Sequence, residues 1–137
     1  MLNFRLQKVL EYRQTICEEA KQTYLDARAA RLEQEAALHS FSSLRTHALS
    51  GSVQTVVARL ELEAILSRLD DEESLTSATL KILEGEEDEA MRIWHEKRNE
   101  VEMINKLYEK AVAEWNLDQT RKEHLALDEW TSMRRAA

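Results

Sequence analysis

Four histidines, one cysteine and 26 carboxylates are the side chains in this 137-residue chain that could bind a metal or move a proton. His39, His47, His95 and His124 are preceded, three residues earlier, by Ala36, Leu44, Arg92 and Arg121. None completes the Glu-x-x-His pair with which helical bundles hold metal, and no His-Glu-x-x-His occurs. The chain has two glycines, Gly51 and Gly85, and no glycine-rich phosphate loop. Carboxylates become acids or bases at neutral pH when a folded pocket desolvates them, and the periodicity described next provides no pocket. The expectation is a chain that is not an enzyme, with no catalytic residue, cofactor or metal. Its remaining capability is recognition of another surface.

The elements that would present such a surface are helices. There is no proline, and apolar residues recur four and three apart almost throughout. From Leu2 the rhythm runs through Leu6, Val9, Arg13, Ile16, Ala20, Thr23, Ala27 and Ala30. After a slip past Gln34 it continues through Ala37, Phe41, Leu44 and Ala48. A second register holds Leu62, Leu66, Leu69, Leu80, Leu83, Ala90, Trp94, Val101, Ile104, Tyr108, Ala111 and Trp115. A 3.5-residue apolar period sustained over many turns specifies helices wound around one another.

Composition agrees with an open helical architecture. Charged residues make up 33% and aromatics 6%, as expected where most side chains lie on a solvated surface. The formal charge of −7 argues against a nucleic-acid partner, which would call for a basic face. No apolar stretch approaches the roughly 20 residues needed to span a bilayer. The start Met-Leu-Asn-Phe-Arg lacks the apolar run of a signal peptide, and Cys17 is alone, so a cytoplasmic location is expected.

One place reads as a break. Ser50-Gly51-Ser52 joins a residue tolerant of positive φ to a serine able to cap a new helix. The expected organisation is a single coiled-coil domain over residues 1–137, with helix one at about 3–48 and helix two at about 53–134. Gly85, inside the acidic run from Glu84 to Glu89, is expected to be a soft spot or bend, because mid-helix glycine costs ~1 kcal/mol relative to alanine. A short connection folds the helices back antiparallel. With the turn at Gly51, residue i would face about residue 100 − i, and everything from Glu100 onward would overhang. That overhang would carry Val101, Ile104, Leu107, Tyr108, Ala111, Trp115, Leu125 and Trp130 along an exposed stripe on the order of 40–50 Å long. Such a stripe calls for a partner. The rival arrangement turns at Asp70–Ser74 and leaves two equal arms without an overhang.

Several seam positions are polar. Arg13, Glu73, Glu87 and Lys97 would fix register at some cost in stability, or would loosen the coil so that it can bend or exchange partners. Trp115 and Trp130 fall on the expected overhang, where aromatic anchors favour binding. Arg121-Lys122 and Arg134-Arg135 suit the negative end of a helix macrodipole, but that leaves Leu127-Asp128-Glu129, followed by Trp130, without a reason.

The opening Phe4-Arg5-Leu6-Gln7-Lys8-Val9-Leu10-Glu11-Tyr12-Arg13 resembles the start of the flagellar export protein FliJ family. So do Leu107-Tyr108-Glu109-Lys110, Arg121-Lys122-Glu123, Leu127-Asp128-Glu129 and the terminal arginine pair. The resemblance implies an all-α, two-helix antiparallel coiled-coil hairpin similar to the stalk subunit of rotary ATPases. It also implies a place in the flagellar type III export apparatus, peripheral to the inner membrane. The partners it implies are a hexameric export ATPase, whose channel receives the helical ends, the export-gate membrane protein, and export chaperones. Carried onto this chain, the ATPase-contacting candidates are Phe4, Leu6, Leu10, Arg13, Trp115, Arg121, Lys122, Asp128, Glu129 and Trp130. The gate-contacting candidates are Leu62, Ile65, Leu66 and Leu69. This chain departs from the family there, since Ile65 stands where an aromatic is usual and Glu72-Glu73 interrupt the next apolar positions.

Other readings belong to different classes: the stalk of a virulence-type secretion system, an export escort chaperone, or a structural coil that dimerises through its overhang.

Overall fold

The computed structural model describes residues 4–136, and contains two α-helices among them: α1 (Phe4–Leu49) and α2 (Val56–Ala136). Leu2, Asn3 and the side chain of Phe4 lie outside the described residues. The helices pack antiparallel, giving an all-α hairpin whose connection falls at Ser50–Thr55. α2 runs unbroken through Asp70–Ser74, so the rival turn there is excluded. It is equally continuous through Gly85, where an added Cβ would meet nothing within 4 Å.

Local chemistry sets the connection. The Ser50 amide donates to the Thr46 carbonyl at 3.0 Å and its hydroxyl donates to the His47 carbonyl at 2.6 Å, closing α1. Gly51 does not use the left-handed backbone. The cap of α2 is Thr55 rather than Ser52: its Oγ1 accepts the Ala58 amide at 3.1 Å, which satisfies one of the donors that a helix N-terminus leaves unpaired.

The chain divides into two compact units, one of residues up to Glu19 with those from His95 onward, the other Ala20–Trp94. In the second unit the cross-helix contacts recur by heptads. Tyr24 stacks on Trp94 with ring centroids 5.4 Å apart. Seven residues on, the Arg31 guanidinium donates to Glu87, and it also reaches Glu35 one turn away at 2.7 Å. Two heptads further, Arg45 bonds Glu73 and, at 2.6 Å, Asp70. Hydrogen bonding to Glu87 raises the pKa of Arg31 above the ordinary arginine value, and Glu73 followed by Asp70 does the same for Arg45. In the first unit Arg13 donates to Glu100 at 3.1 Å, and Lys97 lies 3.8 Å from the same carboxylate. All four polar seam residues are thus taken up by ion pairs, three of them across the helices.

These pairs correct the expected register. Arg31 meets Glu87 where a symmetric turn at Gly51 would have placed Leu69, and Tyr24 meets Trp94 where it would have placed Thr76. The shift is about five turns of helix. In this register the arginines of α1 meet acidic residues of α2, and Phe41 and Leu69 are buried.

Packing is thin because each seam side chain sees one neighbouring helix. Among the described residues Phe41, Leu69 and Ala90 are the buried apolar ones, and the rest of the seam is half-buried. On α2 the half-buried and buried positions follow an unbroken 4-3 spacing from Leu62 to Ala111. On α1 they run Leu6, Leu10, Arg13, Cys17, Ala20, Tyr24, Ala27, Arg31, Gln34, Leu38, Phe41, Arg45 and Ala48. No slip occurs at Gln34. Val9, Thr23, Ala37 and Leu44 face out instead.

Candidate interaction surface

The corrected register shortens the overhang. Val101, Ile104, Tyr108 and Ala111 are half-buried seam residues, not part of a free stripe. Leu6 lines a shallow groove with Leu107, Lys110, Ala111 and Glu114, so the described start of α1 reaches α2 at this level. Beyond it, every residue from Ala113 to Ala136 is exposed except the half-buried Gln119. This free stretch is roughly 35 Å long at ~1.5 Å per residue.

Its polar side chains bond locally. Thr120 donates to the Asn116 carbonyl at 2.9 Å, Thr131 to the Leu127 carbonyl at 2.8 Å, and Lys122 lies 3.4 Å from Asp118. Its apolar groups are left in water. Trp115 is 41% exposed and Trp130 56%, and Leu117, Leu125, Leu127 and Met133 are exposed with them. The Arg134 guanidinium lies 5.1 Å from the Trp130 ring centroid, a cation–π contact that orients the indole. A helix carrying tryptophans and arginines without a facing helix has the composition of a binding hot spot.

Helix geometry sorts the expected contact residues of α2, Trp130 apart, into two rows. Seven residues make almost two turns, so Trp115, Lys122 and Glu129 align and continue the α2 seam. Glu114, Arg121, Asp128 and Arg135 form the row beside it. At the start of α1, Leu6 and Leu10 are half-buried against α2, and Arg13 is held by Glu100, so these side chains support the pair as well as bordering the free stretch.

The gate candidates separate by burial. Leu69 is buried, Leu62 and Leu66 are half-buried, and Ile65 is 49% exposed. The exposed apolar groups near the connection that sequence periodicity did not single out include Leu49, Val53, Val56, Val57 and Leu60. Two adjacent valines at a helix start carry no heptad signal, which is why the pattern passed over them. Among the described residues no helix is long and apolar enough to cross a membrane.

Comparison with curated proteins and with solved structures finds no match. A family model does match, that of the flagellar FliJ protein, over residues 2–137. With nearly the whole length matched, and with a two-helix hairpin of the kind the end motifs implied, this chain belongs to the flagellar FliJ protein family, non-catalytic components of the flagellar export apparatus.

Proposed function

We propose that this chain is a coiled-coil stalk that binds the hexameric flagellar export ATPase and links it to the export gate. The observation that carries the reading is the free end of α2, where Trp115 and Trp130 stand exposed on a helix that no other described residue faces from Ala113 to Ala136. An amphipathic helix of this kind suits insertion between other helices. Trp115, Arg121, Lys122, Asp128, Glu129 and Trp130 supply the contacts, with Phe4, Leu6, Leu10 and Arg13 at the neighbouring end of α1.

A single asymmetric helix pair cannot contact six identical subunits in the same way. Binding it therefore favours some subunit arrangements over others, which couples its presence to ring assembly and turnover. The chain itself holds no nucleotide. Ile65 and the exposed valines near the connection form the gate-facing surface, and export chaperones are further partners. Through these contacts the protein stays peripheral to the inner membrane.

The test measures ATP turnover and ring assembly of the cognate export ATPase with the full chain and with a chain ending at Glu114. The full chain should raise both, and the shortened chain should do neither while keeping its helical signal. A folded full-length protein that neither binds nor stimulates the ATPase would remove this mechanism.

A further inference from the structure

The free stretch of α2 has a charge pattern that its own helix does not use. The four residues immediately before the seam positions Trp115, Lys122, Glu129 and Ala136 are Glu114, Arg121, Asp128 and Arg135. They alternate in sign at seven-residue spacing, so they line one edge of the seam as a row of negative, positive, negative and positive charge. All four are exposed. The row starts at the level where the described start of α1 reaches α2, beside Leu6.

In coiled coils this edge position faces its counterpart on an antiparallel neighbour, where opposite charges set orientation and partner choice. We propose that the stretch Ala113–Ala136 pairs with the same stretch of a second copy of this chain, antiparallel, with Glu114 facing Arg135 of the other copy and Arg121 facing its Asp128.

The two-fold axis passes between His124 and Leu125, giving four cross-copy ion pairs. This register places Ala136 of one copy opposite Ala113 of the other. The register that matches the charges is therefore also the one that covers the whole free length. A parallel pairing has no such match, because the same row would then face Gln119, Ala126 and Met133. The seam itself is mixed: Trp115 and Leu125 add apolar burial, while Asp118 and Glu129 fall in one layer and oppose it. Lys122, already bonded to Asp118, lies one turn away from that layer. The pairing is consequently weak and concentration-dependent, and it covers Trp115, which a different partner would need.

The test is the mass of the full-length protein by sedimentation equilibrium, from about 1 to about 500 µM, at low and high salt. The weight-average mass should rise from monomer toward dimer, more at low salt. Arg121→Glu and Asp128→Arg should each weaken the dimer by roughly tenfold or more, since each turns two attractions into repulsions. The double variant Arg121→Glu/Asp128→Arg should restore it, and circular dichroism should show every variant equally helical. A monomer throughout the concentration range would overturn the proposal and leave the face to a different protein. A double variant no tighter than the single ones would overturn it too, because a parallel or non-specific dimer gains nothing from the exchange. The measurement needs no ATPase, so its failure leaves the stalk reading standing.

Discussion

Arg31 of α1 donates to Glu87 of α2, one heptad from the stacked rings of Tyr24 and Trp94. Both members of the pair are largely covered, with side-chain exposures of 23% and 13%. The pair therefore acts as a register pin. Sliding either helix by one turn would break it together with the Tyr24–Trp94 stack.

Glu87→Gln should lower the thermal midpoint by a few degrees, and Arg31→Met/Glu87→Leu should recover much of the loss. The double variant should also lose register specificity, seen as broadened signals in NMR spectra. Equal loss in the single and double variants would show that the charges add nothing beyond packing. The raised pKa of Arg31 and of Arg45 means their stabilisation is fully present below the ordinary arginine value. It is lost only above that value, so these cations confer no pH dependence near neutrality.

The three tryptophans should divide cleanly. Trp94→Ala removes a ring stacked on Tyr24 and should destabilise by about 2–3 kcal/mol in urea unfolding. Trp115→Ala and Trp130→Ala should stay within about 0.5 kcal/mol of the parent, yet abolish stimulation of the export ATPase. A large stability loss at Trp115 would show that it packs within the monomer.

Leu69 and Ile65 lie close in sequence but differ in burial. Leu69→Ala should cost about 2–4 kcal/mol, whereas Ile65→Ala should cost less than about 1 kcal/mol. Weakened binding to the export gate by Ile65→Ala, with the fold intact, would identify the gate-facing residue. Unchanged gate binding would exclude it.

Gly85→Ala should stabilise the protein by about 0.5–1 kcal/mol, since it is helical and its missing methyl would meet no neighbour. Chemical denaturation measures this directly. If activity falls as stability rises, local looseness of α2 at this point has a use.

Glu89 has a pKa below the ordinary glutamate value because its carboxylate accepts hydrogen bonds from Arg92, at 2.5 Å and 3.1 Å. A depressed carboxylate contributes stability that is present above its unfolded-state pKa and lost as pH falls through the depressed folded value. NMR titration should show Glu89 with a lower midpoint than a glutamate in a short unstructured peptide, and Arg92→Gln should return it toward that reference. An identical midpoint in both proteins would mean that the contact does not persist in solution.

The α2 seam was legible in the residues. Leu62, Leu66, Leu69, Leu80, Leu83, Ala90, Trp94, Val101, Ile104, Tyr108 and Ala111 all turn inward, since apolar side chains at strict 4-3 spacing have one face on which to gather. One row of the α1 seam was misplaced. Counting apolar residues selects Val9, Thr23, Ala37 and Leu44, whereas the inward row is Leu10, Cys17, Tyr24, Arg31, Leu38 and Arg45. Arginines at two of these positions hide the row from an apolar count, because their reason for facing inward lies on the other helix.

The residues alone therefore determined that the chain is a helical hairpin and favoured a turn at Gly51, while the rival turn at Asp70–Ser74, which would have left no overhang, was excluded by the continuity of α2. The hairpin and its favoured turn follow from local propensity and periodicity, which depend on near neighbours in sequence. Register was decided only by the tertiary structure. It depends on Arg13, Arg31 and Arg45 meeting Glu100, Glu87 and Glu73, residues far apart along the chain whose match cannot be scored until both helices are laid side by side. The register in turn set where the free surface begins, moving it from Glu100 to Ala113, because a seam residue is available to a partner only where the first helix no longer covers it.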